Sequence, residues 1–278
     1  MPRPALPAAL PDRLAALTDR RRIAVVPIRG VIGGAVRTAD LVKTLDRARE
    51  NARVKAVFLD IASPGGDAVA SETLYLAVRR LAEAKPVVAW IRSVGASGSY
   101  FLACGATRIL AFPSAVVGSI GVISVRPVLA GALRRIGAHV RVTKTGPFKD
   151  LGAPWREPTE EDIAKERELV DGMFEHFTRA VRDARNLDGD ALARVITGEV
   201  WLADRAVELG LLDGLAEEEA ALIETQQLAG LPHRRTVRLQ PRRSVLQRLG
   251  MPGAGMGPPG PRWLIELEGW SRHPRLRT

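Results

Sequence analysis

The sequence predicts a single α/β domain around a largely parallel sheet, and three observations carry that prediction. Short apolar strands alternate with amphipathic stretches over the first hundred residues. Those stretches are long enough to act as helical crossovers, which parallel pairing needs and hairpins do not. Glycine-rich turns also follow the apolar strands.

Taken in order, Ile23 to Ile28 is the first strand. Thr38 to Asn51 sets Leu41, Val42, Leu45 and Ala48 at helical spacing behind Thr38 as N-cap. Val54 to Ile61 is the second strand, closed by Ser63-Pro64-Gly65-Gly66. Ala68 to Ala84 is helical, with Leu74, Ala77, Val78 and Leu81 on one face, and Val87 to Ile91 is a third strand leading to Gly95-Ala96-Ser97-Gly98. Arg108 to Ala111 and Val140 to Thr143 are short strand candidates, with Val128 to Ile136 as a helix between them. Pro158 and Thr159 followed by three acids, Glu160 to Asp162, mark the start of a long helix that runs to about Asn186. Two shorter helical stretches follow, punctuated by Gly210 and Gly214. The organisation is an N-terminal arm (1–22), a central domain (23–230) and a basic tail (231–278) in which Met251 to Pro261 has linker composition.

A hydrophobic fraction of 46% over 278 residues is enough for a full core, and 5% aromatic residues make it an aliphatic one. The single cysteine, Cys104, excludes an intrachain disulfide and a paired metal or redox motif, and it reads as a small buried hydrophobe. No metal or other cofactor is expected. No uninterrupted apolar run reaches the roughly 18 residues of a membrane span, so the chain reads as soluble and cytoplasmic. Of the net charge of +10, residues 226–278 supply +8, with ten arginines against Glu266 and Glu268. The body is nearly neutral and has no basic stretch interleaved with aromatics, so nucleic acid is not an expected partner. In the tail, Trp263, Leu267 and Trp270 fall at i, i+4 and i+7, widened by Leu264 and Ile265. Three readings compete for it: an arm docking on a neighbouring subunit or partner, a disordered tail, and a peripheral membrane anchor.

Three segments could carry chemistry. In Ser63-Pro64-Gly65-Gly66-Asp67, paired glycines let backbone N–H groups turn toward a ligand, though an ordinary turn looks the same. In Gly95-Ala96-Ser97-Gly98-Ser99-Tyr100, a serine among small residues at a helix start suits a hydroxyl nucleophile, and equally a plain N-cap. The G-x-S-x-G elbow fails because its last glycine is Ser99, and none of His139, His176, His233 and His273 has a catalytic-looking setting. In Thr145-Gly146-Pro147-Phe148-Lys149-Asp150, a lysine is kept in a chain with only six lysines among 41 basic residues. Lysine can shed its proton near neutral pH and arginine cannot, although a solvated loop lysine is the bland alternative.

In this order and spacing the segments resemble the signal peptide peptidase A family of serine peptidases, over about Ile23 to Leu215. The matching motifs are Ser63 to Gly66, Ala96-Ser97-Gly98-Ser99-Tyr100, Gly118-Ser119-Ile120-Gly121-Val122 and Phe148-Lys149-Asp150, with Ser97 and Lys149 52 residues apart. The resemblance implies a ClpP/crotonase-like fold of repeated β-β-α units, in which the central domain is the peptidase. It implies Ser97 as nucleophile, Lys149 as general base and Ser119 as the hydroxyl that orients the lysine amine. It also implies peptide substrates, remnant signal peptides among them, and a ring-like homo-oligomer with sites near subunit interfaces. Such a lysine must be desolvated, so that its pKa falls from about 10.4 toward neutrality. We assign the N–H groups of Gly66 and Gly98 to the oxyanion hole. The family commonly carries an N-terminal membrane anchor that is not read here, which weakens the case for signal peptides. The alternatives are a crotonase-like acyl-CoA enzyme, for which Asp67 beside the glycine turn is the support, and a non-catalytic ring scaffold.

Overall fold

The structure, a computed structural model, describes residues 20–240. The Gly/Pro linker and the Trp263 to Trp270 segment, like most of the N-terminal arm, lie outside the described residues. The elements run β1 (Arg22–Arg29), α1 (Thr38–Glu50), β2 (Val54–Ser63), α2 (Ala68–Ala82), β3 (Val87–Ala96), α3 (Gly98–Ala103), β4 (Arg108–Ala111) and β5 (Val116–Gly118). Then come α4 (Ala130–Arg135), a 3-10 turn (Pro147–Asp150), α5 (Glu160–Arg185), α6 (Gly189–Val195), β6 (Val200–Leu202), α7 (Ala203–Glu208), β7 (Gly214–Leu215), α8 (Glu218–Leu228) and β8 (Thr236–Arg238).

One sheet orders the strands β6-β5-β3-β2-β1-β8, with β4 joined to β3 and β7 joined to β4. All pairings are parallel except β5 with β6. The long strand β3 serves two partners in turn. Val88 to Ile91 pair with β4, and Val94 to Ala96 pair with β5. The sheet therefore splits along β3, and the split opens beside Ser97. This is the expected ClpP-like architecture.

The central strands are covered on both faces, which is why they read as continuous apolar runs rather than alternating ones. Val57, Leu59 and Ile61 of β2 join the main core with α1, α2 and α3, while Ala56 and Phe58 meet a smaller core under α8. The buried carboxylate of Asp60 lies on that second face. It is paired with Arg29 and Arg92, and Arg92 also stacks over Trp90 and reaches Glu218 Oε2 at 2.6 Å. A buried carboxylate with two guanidinium partners is satisfied, so it reads as structure rather than as a site.

Three expectations need correction. Val140 to Thr143 forms no strand: these residues find no sheet edge among the described residues, and Val140 and Val142 stay exposed. The Val128 to Ile136 helix is shorter, at Ala130–Arg135. Among the described residues three helices, not two, follow α5, and the last of them covers the second sheet face. The sheet also continues past Gly230, because β8 pairs with β1 and Leu231 is buried. The start of α5 follows the sequence closely: Thr159 accepts from Asp162 N at 3.1 Å, and the Asp162 carboxylate accepts from Thr159 N at 2.9 Å. Among the described residues no helix is long and apolar enough to cross a membrane.

Candidate active site

The glycine turn and the serine turn lie at the carboxyl ends of adjacent parallel strands, where open α/β sheets place ligands. Ser63 is in register with Gly95 across β2 and β3. The Ser99 hydroxyl ties the turns together by donating to Ser63 O at 2.6 Å and sharing a contact with Ala96 O at 2.8 Å. Their approach leaves no room for side chains. A Cβ on Gly65 would stand 2.7 Å from Gly98 N, and one on Gly66 only 2.1 Å from Ile32 O. Gly66 adopts φ +155, which L-residues avoid.

Ser97 caps α3 at φ 52, ψ −125, a conformation costing a non-glycine residue about 1–3 kcal/mol. Its backbone is fixed on both sides: Ser97 N donates to Gly118 O at 2.7 Å, and Ser97 O accepts from Phe101 N at 2.9 Å. Its side-chain oxygen is buried and has no hydrogen-bond partner. An unpaired buried hydroxyl costs about another 1–3 kcal/mol. A serine kept for capping alone would use its oxygen; this one holds it in reserve.

Gly66 and Gly98 lie close together. The position a Cβ would take on Gly98 is 3.4 Å from Gly66 N. The Ile32–Gly66 bridge is closed by Ile32 N donating to Gly65 O and Asp67 N donating to Ile32 O. Ser119 sits one residue beyond the Ala96–Gly118 register pair, also at positive φ (52), with its N–H bound to Glu199 O at 2.6 Å. Ser97, Gly66, Gly98 and Ser119 thus gather at one end of the split.

A cleft opens from Ser97 between α2 and α5, walled by Val69, Phe101, Val122, Met173 and Phe177. Among the described residues Glu72 is the one ionisable group in its wall, and it binds His176 Nδ1 at 2.8 Å. Sequence reasoning missed this pair, because residues 104 apart in sequence give no local signal. Asp67, the support for a carboxylate mechanism, is occupied elsewhere: its Oδ1 accepts from Ala70 N at 2.7 Å as the N-cap of α2. Cys104 is buried as expected, and burial pushes its thiol up to about 12, far from a reactive thiolate.

Lys149 is not brought to the Ser97 cleft within the chain. It is exposed on the 3-10 turn and does not line the cleft. The reason is the length of α5. Its N-terminal end holds the lysine turn, through Asp150, Arg156 and Asp162, while its middle supplies Met173 and Phe177 to the serine cleft. The helix between Asp162 and those two residues is about 16–22 Å long at the helical rise.

The description of peptidase family S49 matches residues 79–232, which spans the serine turn, the lysine turn and α5. The chain belongs to that family. A Synechocystis sp. protein named as an inferred protease is 34% identical over 214 residues, 77% of this chain and 76% of its own length. Serine protease SPPA, chloroplastic, of Arabidopsis thaliana is 32% identical over 211 residues, 74% of this chain but 31% of its own. A Methanocaldococcus jannaschii relative is 33% identical, and this chain spans 61% of its length. A Brucella abortus protein named Na(+)/H(+) antiporter NhaA is 33% identical over 269 residues, 91% of this chain and 36% of its own, so the likeness concerns one part of that longer protein. Family membership bears out the resemblance read from the four motifs.

Proposed function

We propose that this chain is a serine endopeptidase in which Ser97 is the nucleophile and Lys149 of a neighbouring subunit is the general base. The observation that carries the reading is the buried, unpartnered Ser97 hydroxyl in a strained turn, flanked by Gly66 and Gly98. A neutral lysine amine takes the Ser97 proton as the oxygen attacks the peptide carbonyl. The tetrahedral oxyanion is received by Gly66 N and Gly98 N, where one donor is typically worth about 3–4 kcal/mol. Lys149 then passes its proton to the leaving amine, an acyl-enzyme remains on Ser97, and water activated by the same amine releases it. Ser119 orients the amine.

Two features favour a base from a neighbour. Helix α5 keeps Lys149 away from the cleft of its own subunit. The segment that carries Lys149 also exposes Ile123, Val125, Val128, Leu129, Ile136, Val140, Val142, Phe148 and Trp155. So much apolar surface on one segment marks an interaction surface, and a second copy of the chain in a ring-like oligomer would bury it and desolvate the lysine. Substrates are peptides with an apolar side chain for the cleft, remnant signal peptides among the candidates.

The Glu72–His176 pair favours a second reading, a serine-histidine-acid triad, but the Ser97 hydroxyl donates no hydrogen bond to His176. A fluorophosphonate probe should label the wild-type protein at Ser97 and leave Ser97→Ala unlabelled. Activity should rise with pH, since only the neutral amine accepts a proton, and Lys149→Arg should be inactive despite its retained charge. An active Lys149→Arg protein, or a flat profile between about pH 6 and 9, would contradict the lysine base.

A further inference from the structure

The turn that carries Lys149 has no core of its own: Pro147, Phe148 and Lys149 are exposed. What fixes it is an ion cluster centred on one guanidinium. Arg156 Nε and Nη2 donate to the two carboxylate oxygens of Asp150, each at 3.0 Å. The same guanidinium binds Asp162, with Nη2 to Oδ1 at 3.1 Å and Nη1 to Oδ2. Asp162 is also the reciprocal partner of Thr159 in the cap of α5. Lys144 completes the cluster, with Nζ at 2.7 Å from both Asp150 Oδ1 and Pro147 O. A second tie lies beside it, where Arg126 pairs with Glu166 of α5 and Nη1 donates to Leu151 O at 2.8 Å.

From this arrangement we infer that Arg156 is a positioning residue for Lys149, acting through Asp150, its sequence neighbour, to fix the lysine turn on the rigid end of α5. Two bidentate carboxylates on one planar fork set an orientation as well as a distance, which a lysine at 156 could not reproduce. The side chains of Asp150 and Asp162 are nearly shielded, at 8% and 5% exposed, so solvent does not dissolve the cluster. Hydrogen bonds from Arg156 first, and Lys144 second, hold the Asp150 carboxyl down at about 2. Its folded pKa is depressed, so the clamp's contribution is present above the ordinary carboxylate range and is lost only as pH falls toward 2. The clamp is therefore whole wherever a lysine base can work.

The inference rests on Lys149 being the base, and the test separates the two claims. Steady-state kinetics on a chromogenic peptide would compare the full-length wild type with Arg156→Gln, Asp150→Asn and Lys149→Ala. Asp150→Asn spares the Arg156–Asp162–Thr159 cap, so it remains informative should Arg156→Gln fail to fold. We expect kcat to fall tenfold or more in both clamp variants, with KM within about twofold of wild type, because Met173 and Phe177 still wall the cleft. A general loosening of α5 would instead raise KM in parallel with the loss of kcat, and that pattern would overturn the inference. Wild-type kcat in the clamp variants beside a dead Lys149→Ala would overturn the clamp alone. An active Lys149→Ala would remove the base assignment and the clamp's purpose with it.

Discussion

Ser97→Ala and Lys149→Ala are each expected to lower kcat for peptide hydrolysis by about 10⁴-fold or more, the scale on which nucleophile and base removals act. The fold should survive both changes. Ser97 Oγ makes no hydrogen bond that the alanine would forfeit, and Lys149 is exposed in the subunit. Removing an unpaired buried hydroxyl relieves its desolvation penalty, so the Ser97→Ala midpoint of unfolding should lie at or above that of wild type. His176→Ala is the internal control. It breaks the contact with Glu72 beside the cleft, and a loss under tenfold is expected if lysine is the base. A dead His176→Ala beside an active Lys149→Ala would transfer the role to the histidine.

Gly66→Ala is expected to be strongly damaging. The new carbon would stand 2.1 Å from Ile32 O and 2.6 Å from Ile32 N, both backbone atoms that cannot swing aside. The φ of +155 adds conformational strain to the clash. Together these cost about 3–5 kcal/mol. For a domain of this size that is roughly 10 °C or more in melting temperature. Activity should vanish as well, because Gly66 N would leave its place beside Gly98. Gly172→Ala in α5 is the contrast. A Cβ there meets nothing within 4 Å, and the change should stabilise by about 0.5–1 kcal/mol. Thermal unfolding of the two variants beside wild type checks both signs.

What the sequence made legible follows from where the signal was local. The strands Val54 to Ile61 and Val87 to Ile91 announce themselves as buried runs because both sheet faces are covered. Thr159 and Asp162 announce α5 because a capping box needs only four residues. The small strands β5, β6 and β7, of two or three residues each, carry no periodicity of their own and exist only through their pairing. The Val140 to Thr143 segment shows the opposite failure: it alternates like a strand, yet the subunit gives it no edge to pair with. The serine turn, the glycine turn and the Gly118-Ser119 turn were each readable, and the fold gathers them. The partner of Glu72, and the double grip of Arg156 on Asp150 and Asp162, were not readable, since each depends on the path taken between the elements. The separation of Lys149 from Ser97 was invisible for the same reason, being set by the length of α5.

The claim that one site draws its serine and its lysine from different subunits is tested most directly by mixing two dead proteins. Ser97→Ala and Lys149→Ala chains would be dissociated, combined in equal amounts and reassembled, with subunit exchange verified by differential labels. Some interfaces then pair an intact Ser97 with an intact Lys149, so peptide hydrolysis should return to a substantial fraction of wild type. If the mixed oligomers form and stay inactive, the two residues do not meet across an interface, and the proposed site is wrong.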